Sequence, residues 1–230
     1  MAPGTILIVM ILSLAVLFNA WSAIPILAFV WKPDLMRYSF VEAAEAQDFV
    51  SKSVPLQNWI GRLKGIGFSY LGIKVEHLPL WGAAYREAAL VSREAEAYAS
   101  IVLKKDGTPS TMYFYTPFRN GGMVFTRSHL YGTEMETESI SMKNVPYPDF
   151  RDILDNHTAR VRAFQNRGLI SNVGSSPQSR IDATMDFYRS EYSRKHGKYL
   201  FLPGVVGFFT SLAGLGAVLV WYFRHSGGIR

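Results

Sequence analysis

Tyr98–Ser128, YASIVLKKDGTPSTMYFYTPFRNGGMVFTRS, is the stretch whose reading decides the fold. Ala99, Ile101 and Leu103 alternate with Ser100 and Val102, and a period of two sends successive side chains to opposite faces of a strand. Asp106-Gly107 and Asn120-Gly121-Gly122 punctuate the apolar runs, and such residues accept the positive φ that tight hairpin turns require. The stretch therefore predicts a three-stranded antiparallel meander over about 98–128. Tyr113 and Tyr115 fall on one face of the middle strand, opposite Met112, Phe114 and Phe118. One aromatic face is expected to meet helices; the second is either a binding surface or the seat of another helical layer.

On the C-terminal side, Ser139–Met142 is a candidate edge strand. Pro148 is expected to open a helix over about 148–167, in which Phe150, Ile153, Leu154, His157, Val161 and Phe164 form one apolar stripe and Gly168 gives the stop. Asp149 and Asp152 fall in its first turn, where carboxylates oppose the positive end of the helix dipole. A Ser- and Gly-rich loop follows, then a helix over about 181–197 with Ile181, Met185, Tyr188 and Tyr192 on one face.

On the N-terminal side, the Ala- and Glu-rich composition of Trp81–Arg93 predicts helix. Gly65, Gly67 and Gly72 miss the spacing of a phosphate-binding loop and read as a turn. Pro55 stands where a helix carrying Leu56, Trp59, Ile60 and Leu63 begins, and Ser39 to Glu42 has capping-box spacing for a short helix ending near Ser51.

Two uncharged runs flank all of this, Ile6–Trp31 and Tyr199–Phe223. Each is long enough to suggest a bilayer span of about 20 apolar residues. The expected fold class is thus a membrane protein in which transmembrane helices, 5–31 and 200–223, flank an α+β domain over 32–198, a small antiparallel β-meander packed with helices. Lys32, Arg37, Arg194, Lys195 and Lys198 lie on the domain side of the spans, which by the positive-inside rule predicts a cytoplasmic domain with both termini outside. Arg194, Lys195 and Lys198 are the candidate lipid-headgroup contacts. Asn19, Gly207, Thr210, Ser211 and Gly214 are the candidate helix-packing residues, because small and hydrogen-bonding side chains let helices approach closely.

The chain has no cysteine, which excludes disulfides and thiolate metal sites, and its net charge of +6 is too small and dispersed to mark a nucleic-acid binder. His129, Asp152 and His157 are the nearest approach to an acid–base or metal constellation, but no HExxH or GxSxG spacing accompanies them. His157, on an apolar stripe, reads as a hydrogen-bonded core residue. No cofactor and no metal is expected. The residues point to a non-catalytic membrane-anchored binding or assembly protein, a subunit or accessory factor of a membrane complex, whose partners are the lipid bilayer and either another protein or a second copy meeting the apolar helices. The alternatives are an oligomeric two-span channel and a membrane-tethered hydrolase.

Overall fold

The computed structural model describes residues 3–31, 37–77, 84–129, 134–146, 149–189 and 191–226; within these, 3–5, 21–31, 84, 191–205, 222 and 225–226 are described by backbone alone. In chain order the elements are α1 (Pro3–Trp31), β1 (Arg37–Phe40), α2 (Ala43–Ser51), α3 (Val54–Gly65), β2 (Ser69–His77), β3 (Ala84–Ser92), β4 (Ala97–Leu103), β5 (Pro109–Pro117), β6 (Met123–Arg127), β7 (Met135–Glu136), β8 (Ile140–Asn144), α4 (Phe150–Gln165), α5 (Pro177–Arg189) and α6 (Glu191–Ser226). They form two compact units, one containing α1 and α6, the other containing the sheet and the remaining helices.

The sheet has eight strands in the order β1-β2-β3-β4-β5-β6-β8-β7. All neighbours are antiparallel except β6 and β8, which pair in parallel. The meander predicted over 98–128 is its β4-β5-β6 segment, and Gly107 and Gly121 in the turns both have φ of 82°. Ile73, Ala88, Leu90, Ala99, Ile101, Met112 and Phe114 turn one face of the sheet toward Leu56, Ile60 and Leu63 of α3 and Ile153 and Leu154 of α4, making the core. Trp59 and Phe150 lock the two helices edge to face at 5.2 Å. The apolar stripe expected on α4 is the buried one, and Asp149 caps the helix by accepting from the Arg151 N–H at 2.9 Å.

Several sequence readings are corrected. Residues Ala84–Ser92 are a strand, not a helix: β3 lies between β2 and β4, and their backbone hydrogen bonds and the core packing of Ala88 and Leu90 outweigh the helix propensity of Ala and Glu. Ser39 is in β1 and caps nothing; Glu42 precedes α2 without a side-chain cap. The strand at Ile140–Asn144 is interior, with β7 outside it. The buried face of α5 is Arg180, Ala183 and Thr184, not the expected Ile181, Met185 and Tyr188. Pro148 lies outside the described residues.

The expected transmembrane architecture is also corrected. Among the described residues no helix is long and apolar enough to cross a membrane. The cytoplasmic placement of the domain, with both termini outside, loses its basis with the spans. In their own unit α1 and α6 pack on each other: the Asn19 amide donates to Ser211 Oγ at 3.1 Å. A Cβ on Gly207 would come within 3.0 Å of Asn19 Oδ1, and one on Gly214 within 3.7 Å of Leu12. Thr210 donates to its own helix, to the Val206 carbonyl at 2.8 Å, so it does not bridge the pair. The side chains of Arg194, Lys195 and Lys198 lie outside the described residues.

Candidate site on the open face of the sheet

The second face of the sheet, the one bearing Tyr113 and Tyr115, is organised around buried charge. Lys74 of β2 stands between the core residues Ile73 and Val75, so strand alternation sends it to the opposite side. The register places it directly across from Glu87 of β3. The Lys74 ammonium lies 2.7 Å from Glu87 and 2.8 Å from Glu76. From above, α5 lowers Arg180 onto the same carboxylate at 3.1 Å. Lys74 is 0% exposed and Arg180 2%, and charges so removed from water persist only when paired and hydrogen-bonded.

Neutral groups complete the network. Ser100 Oγ and the Tyr113 hydroxyl donate to the two Glu87 oxygens at 3.1 and 2.5 Å. Arg180 donates to the Tyr113 oxygen at 2.9 Å and to Thr184 at 2.6 Å, and its guanidinium carbon lies 5.2 and 5.5 Å from the rings of Tyr98 and Tyr115. Tyr115 donates to the Ala183 carbonyl at 3.1 Å, fastening α5 at a second point. Beside this network, between the sheet and α5, is a cavity of about 360 Å³ lined by Lys74, Glu87, Tyr113, Phe125, Arg127, Arg180, Phe187 and Tyr188, among others. A second cavity, about 700 Å³, lies beside α2, and among the described residues lining it Lys64 is the single charged one. The first is the candidate site, because convergent polar groups on an aromatic wall are what orient a ligand.

Electrostatics fix the protonation states. Burial alone would raise the Glu87 carboxyl; the Lys74 and Arg180 cations outweigh it and hold the group at about 2. Burial and the Glu87 charge push the Tyr113 phenol well above its ordinary value, and burial raises Tyr115. Near neutral pH the carboxylate is too weak a base, and the phenols too reluctant to ionise, for proton transfer.

His129, Asp152 and His157 do not form a site. His157 is wholly buried in α4, with Nε2 2.9 Å from Thr116 Oγ1 and Nδ1 2.7 Å from Thr126 Oγ1, so threonines occupy both ring nitrogens. Burial and then Arg160 push its pKa well below the ordinary value, leaving it neutral. Asp152 is exposed on α4, and His129 is exposed beyond β6. Among the described residues no group of three His, Cys, Asp or Glu could hold a metal ion. Sequence reasoning missed Lys74, Glu87, Ser100 and Arg180. The available signal was Lys74 within an apolar run and Glu87 beside Ala88-Ala89, but it needed the strand assignment of β3 to be read.

No protein family, curated protein or solved structure matches the chain.

Proposed function

We propose that the chain is a non-catalytic binding or assembly protein whose α+β unit recognises a ligand in the cavity between the sheet and α5. The observation that carries this reading is the Lys74–Glu87–Arg180 network: it presents fixed charge and oriented hydroxyls at a cavity, yet neither Glu87 nor Tyr113 is poised to exchange a proton near neutral pH. A hydrolase would need a nucleophile with a base in reach, and of the two candidate histidines, His129 and His157, the second is enclosed by Thr116 and Thr126.

The test is a protein-observed NMR screen of small fragments together with assays on chromogenic esters, phosphate esters and glycosides. Hits should move the ring signals of Tyr113, Phe125 and Phe187, and Val102→Trp, which places an indole on the cavity wall, should abolish those shifts. Turnover that disappears in Glu87→Gln or Tyr113→Phe would contradict the reading.

A second reading concerns assembly. Leu14, Leu17 and Phe18, at i, i+3 and i+4 on α1, are 63%, 66% and 72% exposed, and exposed apolar side chains that share a helix face mark interaction surfaces. Sedimentation of the full chain tests it: a larger species should revert to the monomer in Phe18→Ser, and a monomer at all concentrations would count against self-association.

A further inference from the structure

We propose that the second cavity, a groove between α2, α3 and the start of β2, takes a single-chain aliphatic carboxylate. It is separate from the cavity under α5, and three features of it converge on that chemistry.

The first is a pair of donors at one end. Lys64 is in the last turn of α3 and Tyr70 is the second residue of β2. The turn between them is tight, with the Phe68 N–H donating to the Leu63 carbonyl at 3.1 Å, and both side chains line the groove, so they enter it from the same end. Strand alternation would send Tyr70 and Leu71 to opposite faces, but a register shift between Tyr70 and Gly72 bulges β2 here, and both residues line the cavity. The Tyr70 hydroxyl is buried with no hydrogen-bond partner among the described residues. Burial raises its pKa to about 12, so near neutral pH it is a donor that lacks an acceptor.

The second is charge. Lys64 is the single charged residue among the described lining residues, and it makes no ion pair among the described residues. On α2 the acidic residues Glu45 and Asp48 do not line the groove, and Asp48 pairs with Lys52 at 2.5 Å. A carboxylate brings acceptors alone and offsets the ammonium, whereas an amine would add donors and a like charge.

The third is shape. Ala43, Ala46 and Val50 follow one face of α2, and Gln57, Ile60 and Lys64 follow one face of α3, each at i, i+3 and i+7. The Gln57 amide donates to the Val50 and Ser51 carbonyls at 3.2 and 2.9 Å, which joins the end of α2 to the start of α3. Gln57 and Lys64 therefore mark opposite ends of a wall about 10 Å long at the helical rise. A space of about 700 Å³ is within the range of ligand sites, and an acid whose head meets Lys64 and Tyr70 lays its aliphatic chain along Ile60, Val50 and Ala46.

The test uses the full chain and three probes of one length, octanoate, octanamide and octylamine, each titrated by NMR of the Tyr70 ring. The acid should bind about tenfold more tightly than the amide, the gain of a charged over a neutral hydrogen bond, and the amine should leave the ring unmoved. Lys64 is exposed, so Lys64→Gln keeps the fold; it should bring the acid down to the affinity of the amide without changing the amide. Ala43→Trp, which puts an indole on the groove wall, should abolish the Tyr70 shifts. The assignment is overturned if the amide or the amine binds as well as the acid, if Lys64→Gln leaves the acid unaffected, or if the shifts persist in Ala43→Trp. If none of the three probes moves the Tyr70 signals, the groove is not a ligand site. None of these results bears on the cavity under α5, whose reporters are Tyr113, Phe125 and Phe187.

Discussion

Arg180 and Glu87 are 93 positions apart in the chain and meet at 3.1 Å, with the guanidinium of α5 on the carboxylate of β3. That pair ties α5 to the sheet and closes one side of the cavity. Removing one partner of a buried pair leaves the other charge short of compensation, which costs about 3–5 kcal/mol. Arg180→Met should therefore lower unfolding stability by about that amount in urea titrations.

The same network predicts non-additivity. Arg180→Met combined with Glu87→Gln removes one cation and one carboxylate, leaving Lys74 with Glu76 at 2.8 Å. The double variant should be more stable than the sum of the single losses implies, by about 0.5–3 kcal/mol. Purely additive losses would mean that the two charges do not communicate.

His157 should make stability depend on pH. Its folded pKa lies well below the ordinary 6.5, so near neutrality it is unprotonated in both states, while below about 6.5 the unfolded chain takes up a proton that the folded one refuses. Stability is full above 6.5 and is lost as the pH falls toward the folded value. His157→Ala should cost about 1–3 kcal/mol at pH 7.5 through the lost threonine contacts and cavity, and its stability should decline less between pH 6.5 and 5 than the parent's. Chemical denaturation at several pH values measures both.

The α1–α6 pair should respond differently to its two glycines. At Gly207 a side chain would press on the Asn19 amide that holds Ser211, whereas at Gly214 a methyl group meets Leu12 at an ordinary 3.7 Å. Gly207→Leu should break the pair and Gly214→Ala should not. Disulfide cross-linking of cysteines placed at Leu12 and Gly214 reads the packing: Gly207→Leu should suppress the cross-link formed in the otherwise unchanged chain.

Local chemistry made part of this fold legible. Asp106-Gly107 and Asn120-Gly121 carry their turns in adjacent residues, and α4 writes its buried face at helical spacing, so β4, β5, β6 and α4 were readable. β3 was not, because Ala and Glu favour helix until neighbouring strands claim their backbone groups. The length of Ile6–Trp31 in sequence pointed to a span that no described helix supplies. The face of α5 was misread for a further reason: apolar periodicity assumes an apolar seat, and α5 sits over Lys74 and Glu87, so Arg180 and Thr184 turn inward. The candidate site draws on β2, β3, β4, β5, β6 and α5. No spacing in the sequence joins residues brought together by register alone.

The central claim, that the cavity is a charge-locked recognition site and not an acid–base centre, is tested most directly by following the Glu87 side-chain carboxyl carbon by NMR from pH 7 to pH 3. A carboxyl held at about 2 by Lys74 and Arg180 stays ionised across that range, and stability it confers above the ordinary 4.5 is lost only as the pH falls through about 2. A carboxylate signal unchanged down to pH 3 is the predicted result; half-protonation at or above pH 4.5 in the folded protein would contradict the account.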